Sequence, residues 1–217
     1  MMATLDPATC TVFVVDDDVS FLRSLSRLLT ATGYLVESYS SAADFLGRPH
    51  PERPGCVVAD LQMPGINGLQ LQETLGKSNH PLPVIFLTGQ GDIPTTVSAM
   101  RGGAEDFLTK RAPKDELLAA VERALARDAR ERSQRQRQRE LRQRFESLSL
   151  REKEVLSHVV QGKMNKEIAD ALAINLRTVK LHRTNITRKL KVQSVAELTR
   201  LADETGMFSA ATFPKGH

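Results

Sequence analysis

Apolar residues in the first 126 positions follow two patterns that alternate along the chain. Short apolar runs are typical of strands buried on both faces, whereas stretches with apolar residues three and four positions apart are typical of amphipathic helices. Five such alternations predict a parallel sheet with helices on both faces, a doubly wound α/β fold. The expected strands are residues 11–15, 35–39, 56–59, 83–87 and 106–108.

Helices are expected between these strands, and several have recognisable ends. Apolar residues from Phe21 to Leu29 have helical spacing, and Gly33 is suited to end that helix. Asp92 is suited to cap the helix that follows the fourth strand. The last helix of this region is expected to begin at Lys114. These helices are long enough for the right-handed crossovers that parallel strands need.

The apolar periodicity disappears between residues 127 and 144, where Arg, Gln and Glu predominate. All three are good helix formers, so the composition favours a long, solvated linker helix that continues from Leu125. A disordered linker is the alternative. The eight arginines of this stretch also offer nonspecific affinity for a polyanion.

The remaining residues contain four short helical patterns. The first begins at Ser149-Leu150-Arg151-Glu152, a capping box with Ser at the N-cap and Glu three residues later. Asn175 and Ser194 are suited to cap the third and fourth helices. The pattern predicts a small all-α domain. The expected organisation is a first domain over residues 10–126, a charged linker over 127–145, a four-helix domain over 146–205 and a loose tail over 206–217.

Charge is distributed unequally along the chain. The 217 residues carry a net charge of +4, but residues 1–126 have 10 Lys and Arg against 15 Asp and Glu, and residues 127–217 have 20 against 11. A basic second half indicates a nucleic-acid partner. No apolar run approaches the ~20 residues that span a bilayer, and Cys10 and Cys56 are too few for a disulfide framework. We therefore expect a cytoplasmic protein with no membrane partner.

Polar residues stand at the C-terminal ends of four predicted strands, the edge where open α/β sheets bind ligands. Crowded carboxylates repel one another unless a cation lies among them, and oxygen ligands favour Mg²⁺. A carboxylate beside Mg²⁺ can attack phosphorus, while a hydroxyl and an ammonium stabilise the phosphoryl oxygens. Asp60 alone has a simpler interpretation, as a residue that closes a strand or caps a helix. The residues at these ends are Asp16, Asp17, Asp60, Thr88 and Lys110.

Residues 10–127 resemble the receiver domain of two-component response regulators. The matching segments are residues 12–18, 60–65, 86–89 and 106–110. The resemblance implies a five-stranded parallel sheet in the order 2-1-3-4-5.

The same resemblance implies a role for each polar residue of the site. Asp60 would be the phosphoacceptor, and Mg²⁺ (or Mn²⁺) would be bound by Asp17, Asp60 and the carbonyl of Gln62, with Asp16 reaching it through water. Phe107 falls where the family has a switching aromatic ring, although a core position is an equal alternative. The expected contacts of the phosphoryl oxygens are Thr88 and Lys110.

One position departs from the receiver pattern. The family usually has Pro directly after the lysine, often with a cis peptide bond, whereas Arg111 follows Lys110 here. A cis bond before a residue other than Pro costs ~2.5–4 kcal/mol. The loop is therefore expected to differ in shape, which bears on how far Lys110 reaches.

The last domain has the pattern of a helix-turn-helix, which extends from Asn165 to Thr184. The second helix of the pattern, residues 176–190, is rich in Lys, Arg and Thr, while Val179 and Ile186 are expected to face the core. A solvated basic face is the simpler interpretation of such a helix. The pattern nevertheless has the spacing that places a helix in the major groove.

Segments 150–156, 165–169, 178–183 and 189–190 resemble the LuxR-type helix-turn-helix, and the joint architecture is similar to the NarL/FixJ family. Met164 stands where that family often has Ser or Thr, so a cap or phosphate contact is expected to be missing. The resemblance implies base contacts from Lys180, Leu181 and Thr184. The other DNA-contacting residues that it implies are Lys166, Arg177, Thr178, Arg183, Arg188 and Lys189.

The combined resemblance implies a transcriptional regulator rather than an enzyme. A sensor histidine kinase would phosphorylate Asp60, and the receiver would shift to a dimerising, DNA-binding state. Double-stranded DNA and RNA polymerase are the further expected partners. The first alternative is a constitutive DNA-binding regulator that uses the receiver only for dimerisation. The second is a Mg²⁺-dependent phosphatase, although no second acid or base follows Asp60 at a suitable spacing.

Overall fold

The strands of the first domain form one parallel sheet in the order β2-β1-β3-β4-β5. The computed structural model describes residues 9–48, 53–78, 80–89 and 93–205, so the proposed cap Asp92 and the tail 206–217 lie outside the described residues. The predicted sheet is confirmed. Its strands are β1 (Thr11–Val15), β2 (Leu35–Tyr39), β3 (Gly55–Asp60), β4 (Val84–Thr88) and β5 (Asp106–Thr109).

Nine helices occur within the described residues. The linker is helical: the helix that begins at Lys114 continues without a break to Glu146. The helices are α1 (Val19–Ala31), α2 (Ala42–Leu46), α3 (Gly68–Gly76), α4 (Ile93–Arg101), α5 (Lys114–Glu146), α6 (Leu150–Val160), α7 (Asn165–Leu172), α8 (Leu176–Leu190) and α9 (Val195–Thr205).

Strands β3 and β4 end one residue later than their apolar runs suggest. Asp60 is the last residue of β3 and is paired with Leu87, and Thr88 is the last residue of β4 and is paired with Thr109. At the other end, β4 begins at Val84 because Pro83 has no N–H; its carbonyl still accepts from Val57 N at 2.9 Å. Asp60 and Thr88 are therefore held by ladder pairing rather than by loops.

The sheet divides the core of the first domain into two layers. Successive strand residues point to opposite faces, so Val12 and Val14 pack with α1 and the first turns of α5, while Phe13 and Val15 pack with α2, α3 and α4. All four side chains are buried. Burial on both faces explains why the strands read as continuous apolar runs.

Helix α5 is fastened to the N-terminal edge of the sheet by a buried carboxylate. Asp128 is fully buried and accepts hydrogen bonds from Gly55 N at 2.9 Å and from Arg132 Nε at 2.7 Å. The Arg132 guanidinium also donates to the carbonyl of Arg53. These contacts fix the part of α5 that follows the core of the first domain.

The chain divides into two compact units between Arg132 and Ser133. The second unit has its own core, to which Leu141 and Phe145 of α5 contribute together with residues of α6 to α9. Residues of the expected linker 127–145 thus belong to both units. Within the described part of the chain, no helix combines the length and the hydropathy that crossing a bilayer requires.

Candidate metal centre and nucleic-acid interface

Three carboxylates gather at the C-terminal edge of the sheet. Asp16 is 1% exposed, Asp60 is 7% exposed and Asp17 is exposed. One oxygen of each lies within 4.8 Å of one oxygen of the other two. Asp16 and Asp17 follow β1, and Asp60 ends the neighbouring strand β3, so parallel pairing brings them together.

Lys110 places a single ammonium between two of these carboxylates. Its Nζ lies 2.7 Å from Asp16 Oδ2 and 2.9 Å from Asp60 Oδ2. The backbone N of Lys110 donates to the carbonyl of Thr88 at 2.8 Å, which fixes the start of the loop. No cis peptide bond occurs among the described residues. Lys110 therefore reaches the site although Arg111 follows it.

The surroundings of Asp16 and Lys110 change the pKa of both groups. Burial raises the pKa of the Asp16 carboxyl above its ordinary value, and the hydrogen bonds from Lys110 and from Asp18 N only partly oppose this. Burial acts to lower the pKa of Lys110, but its hydrogen bonds to Asp16 and Asp60 outweigh that effect and raise it. Lys110 is thus cationic at neutral pH, and the crowded carboxylates still favour additional positive charge.

The donor set fits a hard divalent cation. Mg²⁺ takes oxygen ligands at 2.0–2.1 Å, so two oxygens on one ion lie at most about 4.2 Å apart. A cluster whose oxygens lie within 4.8 Å of one another suits an ion bound partly through water. Asp17 is the exposed member and therefore faces the solvent from which an ion would arrive.

The other predicted site residues lie at the same sheet edge. Thr88 is buried at the end of β4, and the backbone N of Gln62 donates to Asp60 Oδ1 at 3.3 Å. Phe107 on β5 is half-buried, and its ring centroid is 6.4 Å from that of Phe86. Both interpretations of Phe107, switch and core, are compatible with this position.

Gly68 supports the site in a way that the sequence patterns did not reveal. A Cβ at this position would lie 2.6 Å from the carbonyl oxygen of Asp60 and 2.9 Å from the ring of Phe86. Only glycine lets α3 begin so close to the backbone of the last residue of β3. The available signal was the Asn67-Gly68 pair, and Asn67 is indeed the N-cap of α3.

The second unit contains a helix-turn-helix formed by α7 and α8. A short connection joins the two helices, with Ala173 in the left-handed region at φ 52° and Asn175 capping α8 through Thr178 N at 2.7 Å. Val179, Ile186 and Leu190 are buried on one side of α8. Among the predicted DNA contacts, the exposed ones are Lys166 on α7 and Arg177, Lys180, Leu181, Thr184 and Arg188 on α8.

The three predicted DNA contacts that are half-buried make hydrogen bonds inside the domain. Lys189 Nζ lies 2.6 Å from Oε2 of buried Glu152 and 3.1 Å from the carbonyl oxygen of Ser147. Arg183 donates to Asn165 Oδ1 at 2.9 Å, and Thr178 donates to the Asn175 cap at 2.9 Å. These contacts give the three residues structural roles.

Helix α7 lacks a side-chain cap at its N-terminus, as predicted from the presence of Met164 where the family often has Ser or Thr. Met164 is exposed and makes no side-chain capping bond, while its backbone N donates to Glu167 Oε2 at 2.6 Å. Half of a capping box therefore remains. The Met164 thioether offers no hydrogen bond to a phosphate.

Two family models match this chain. The model described as response regulator receiver domain matches residues 12–122, and the model described as bacterial regulatory proteins, luxR family, matches residues 146–202. The two matches follow the division into two units.

Individual relatives match over nearly the whole chain. Identity to response regulator protein TodT from Pseudomonas putida is 42% over 192 residues, 88% of this chain and 85% of TodT. Identity to transcriptional regulatory protein FixJ from Azorhizobium caulinodans is 41% over 204 residues, 94% of this chain and 97% of FixJ. The solved structure of response regulator StyR has 45% identity and a TM-score of 0.82, covering 91% of this chain and 100% of that chain.

Proposed function

Because this chain belongs to the NarL/FixJ family of two-component response regulators, with a receiver domain and a luxR-family DNA-binding domain, we propose that phosphorylation of Asp60 controls its binding to DNA. The family consists of transcriptional regulators rather than enzymes. The observation that carries the proposal is the position of Lys110 Nζ, 2.9 Å from Asp60 Oδ2 and 2.7 Å from Asp16 Oδ2.

Phosphoryl transfer would begin from a phosphohistidine of a partner sensor histidine kinase. A carboxylate oxygen of Asp60 attacks phosphorus, the P–N bond breaks, and the histidine nitrogen keeps the electron pair. The product is an acyl phosphate on Asp60. Lys110 and the hydroxyl of Thr88 then contact the phosphoryl oxygens and stabilise their negative charge.

Asp17, Asp60 and the carbonyl of Gln62 would bind Mg²⁺ (or Mn²⁺), with Asp16 contributing through water. The ion supplies positive charge that offsets the charge of the incoming phosphoryl oxygens. The support for this assignment is the cluster of three carboxylates within 4.8 Å. Asp16 has a second role, since it holds the Lys110 ammonium beside Asp60.

The phosphoryl group adds a charge of about −2, which attracts the Thr88 hydroxyl and the Lys110 ammonium. We propose that this shifts a pre-existing two-state equilibrium, with Phe107 as the ring that changes position. The active state exposes a dimerising face or releases the DNA-binding helices. The domain limits that go with this proposal are residues 10–126, 127–145 and 146–205.

DNA contacts are assigned by exposure along α7 and α8. Lys180, Leu181 and Thr184 would face base edges in the major groove, and Leu181 suits a thymine methyl group. Lys166, Arg177 and Arg188 would contact phosphates, which position the protein without reading sequence. RNA polymerase is the proposed partner once DNA is bound.

The decisive experiment compares wild type with Asp60→Asn in Mg²⁺ buffer, with and without acetyl phosphate. Wild type is expected to gain the mass of one phosphoryl group, to dimerise and to bind duplex DNA more tightly. The Asp60→Asn variant is expected to show none of these changes. Phosphorylation of Asp60 with no change in oligomeric state or DNA affinity would favour the constitutive regulator instead.

A further inference from the structure

Phe21 has a place in the phosphoacceptor site that neither the metal cluster nor the phosphoryl contacts explain. The Lys110 ammonium lies 4.7 Å from the centroid of the Phe21 ring. The same ammonium is within 2.9 Å of oxygens of Asp16 and Asp60. An aromatic face attracts a cation at this distance. Lys110 is therefore held between two carboxylates and a ring.

The acidic segment itself places Phe21. Asp18 is the N-cap of α1, and its Oδ1 accepts from Ser20 N at 2.9 Å and from Phe21 N at 3.1 Å. Asp18 N in turn donates to Asp16 Oδ1 at 2.9 Å. Asp18 therefore hydrogen-bonds to both Asp16, the carboxylate that binds Lys110, and the backbone of Phe21, whose ring contacts the ammonium. Phe21 also packs against the core layer formed by α1 and α5.

We propose that Phe21 is a positioning residue for Lys110 in the phosphorylation of Asp60. A lysine side chain has a flexible four-carbon stem, so its ammonium needs external restraint to stay at one place. Ion pairing restrains the ammonium only toward the carboxylates. Attraction to the ring adds a restraint from another element and helps to keep Nζ beside Asp60 Oδ2. This role rests on the proposed function of Asp60.

Substitutions at Phe21 separate the electrostatic effect of the ring from its packing. Leucine fills a similar half-buried position without an aromatic face, whereas tyrosine keeps the face. Phe21 and Lys110 line a cavity of about 220 Å³. Leu28 offers a matched control because it also lies on α1, lines this cavity and packs against the same core layer as Phe21. The comparison therefore uses Phe21→Leu, Phe21→Tyr and Leu28→Ala.

The first measurement is Asp60 phosphorylation by acetyl phosphate in Mg²⁺ buffer, followed over a range of donor concentrations. The transfer bonds Asp60 oxygen to phosphorus and releases acetate, which keeps the electron pair. The maximal rate constant of Phe21→Leu is expected to fall about fivefold, from the loss of a partly desolvated cation–π contact. The half-saturating donor concentration should change by less than about twofold. Phe21→Tyr and Leu28→Ala should remain within about twofold of wild type.

The second measurement is a double-mutant cycle between Phe21→Leu and Lys110→Ala, by chemical denaturation without Mg²⁺. We expect a coupling between the two substitutions of about threefold to tenfold in the unfolding equilibrium constant. Additive effects, or a Phe21→Leu rate equal to that of wild type, would overturn the proposal. A Leu28→Ala variant as slow as Phe21→Leu would do the same. If wild type takes up no phosphoryl group, the proposed function fails, while the cycle still decides whether ring and ammonium are coupled.

Discussion

Three consecutive carboxylates after β1 have three different surroundings. Asp16 is buried and pairs with Lys110, Asp17 is exposed, and Asp18 caps α1. The three side chains are identical, so their different contacts follow from their positions along the backbone. Removing the charge of Asp17 breaks neither the ion pair between Asp16 and Lys110 nor the Asp18 cap of α1. A substitution of Asp17 is therefore the cleanest test of metal binding.

We predict that Mg²⁺ stabilises the receiver and that Asp17→Asn abolishes this effect. A ligand that binds only the folded state at ten times its dissociation constant adds about 1.4 kcal/mol, or a few degrees in Tm. Without Mg²⁺ the variant should be slightly more stable than wild type, because one repelling charge is gone. Calorimetry with and without Mg²⁺ measures both effects.

Asp18→Asn is the matched control for that experiment. It also removes one negative charge beside the site, but Asn caps a helix as well as Asp does. The Mg²⁺ effect should therefore persist in this variant. An unchanged Mg²⁺ effect in Asp17→Asn, or its loss in both variants, would contradict the assignment of Asp17.

At the scale of single residues, motif spacing predicted that Asp17, Asp60 and Lys110 would lie close together, because strand ends of a parallel sheet converge whatever lies between them. Gly68 and Phe21 could not be predicted in this way. Their roles depend on atoms that approach from other parts of the chain: the Asp60 carbonyl in one case and the Lys110 ammonium in the other.

At the scale of elements, the apolar runs predicted every strand, since burial on one or both faces leaves a pattern in the sequence. The linker has no such pattern, and its helix was favoured by its content of Arg, Gln and Glu, which are good helix formers. It could not reveal Asp128, which is one acid in a stretch of charged residues and yet is fully buried. The capping box at Ser149 predicted the start of α6. It did not indicate that Glu152 also binds Lys189 of α8, because that contact spans 37 residues.

Glu152 connects α6 to α8, and we predict that Glu152→Gln lowers the free energy of unfolding of the second unit. Burial acts to raise the pKa of Glu152, but hydrogen bonds from Lys189 and Ser149 outweigh it, so the pKa lies below its ordinary value of 4.5. The ionised form is therefore stabilised by folding. At pH 7 the substitution should cost about 2 kcal/mol, the range for a hydrogen bond to a charged group.

The sign of this pKa shift fixes the pH dependence. A lowered pKa contributes stability above the unfolded value near 4.5 and loses it as the pH falls through the folded value. Wild type should lose stability below pH 4.5 more steeply than Glu152→Gln, as measured by urea denaturation at several pH values. Glu154→Gln is the control, since its partner Arg151 is exposed, and it should change stability by less than about 0.5 kcal/mol. Parallel curves for wild type and Glu152→Gln would refute the prediction.

At the scale of the whole molecule, the charge is separated between the two halves of the chain. Residues 1–126 carry a net charge of −5 and residues 127–217 a net charge of +9. A polyanion is therefore attracted to the second half and repelled by the first. Phosphorylation makes the acidic half more negative and adds no basic residue, so charge alone cannot strengthen DNA binding. An increase in affinity must come from more contacts or better access to existing ones.

The salt dependence of DNA binding distinguishes these two routes. Each phosphate contact contributes about −0.9 to the slope of log K against log salt. Contacts from Lys166, Arg177 and Arg188 give a slope of about −2.7 for one chain and about −5.4 for a dimer. We predict the steeper slope only for wild type with acetyl phosphate, measured on duplex DNA at constant Mg²⁺, and the shallower slope for Asp60→Asn. Higher affinity at an unchanged slope would indicate release of the DNA-binding helices without dimerisation. The steeper slope in all samples would indicate a constitutive dimer.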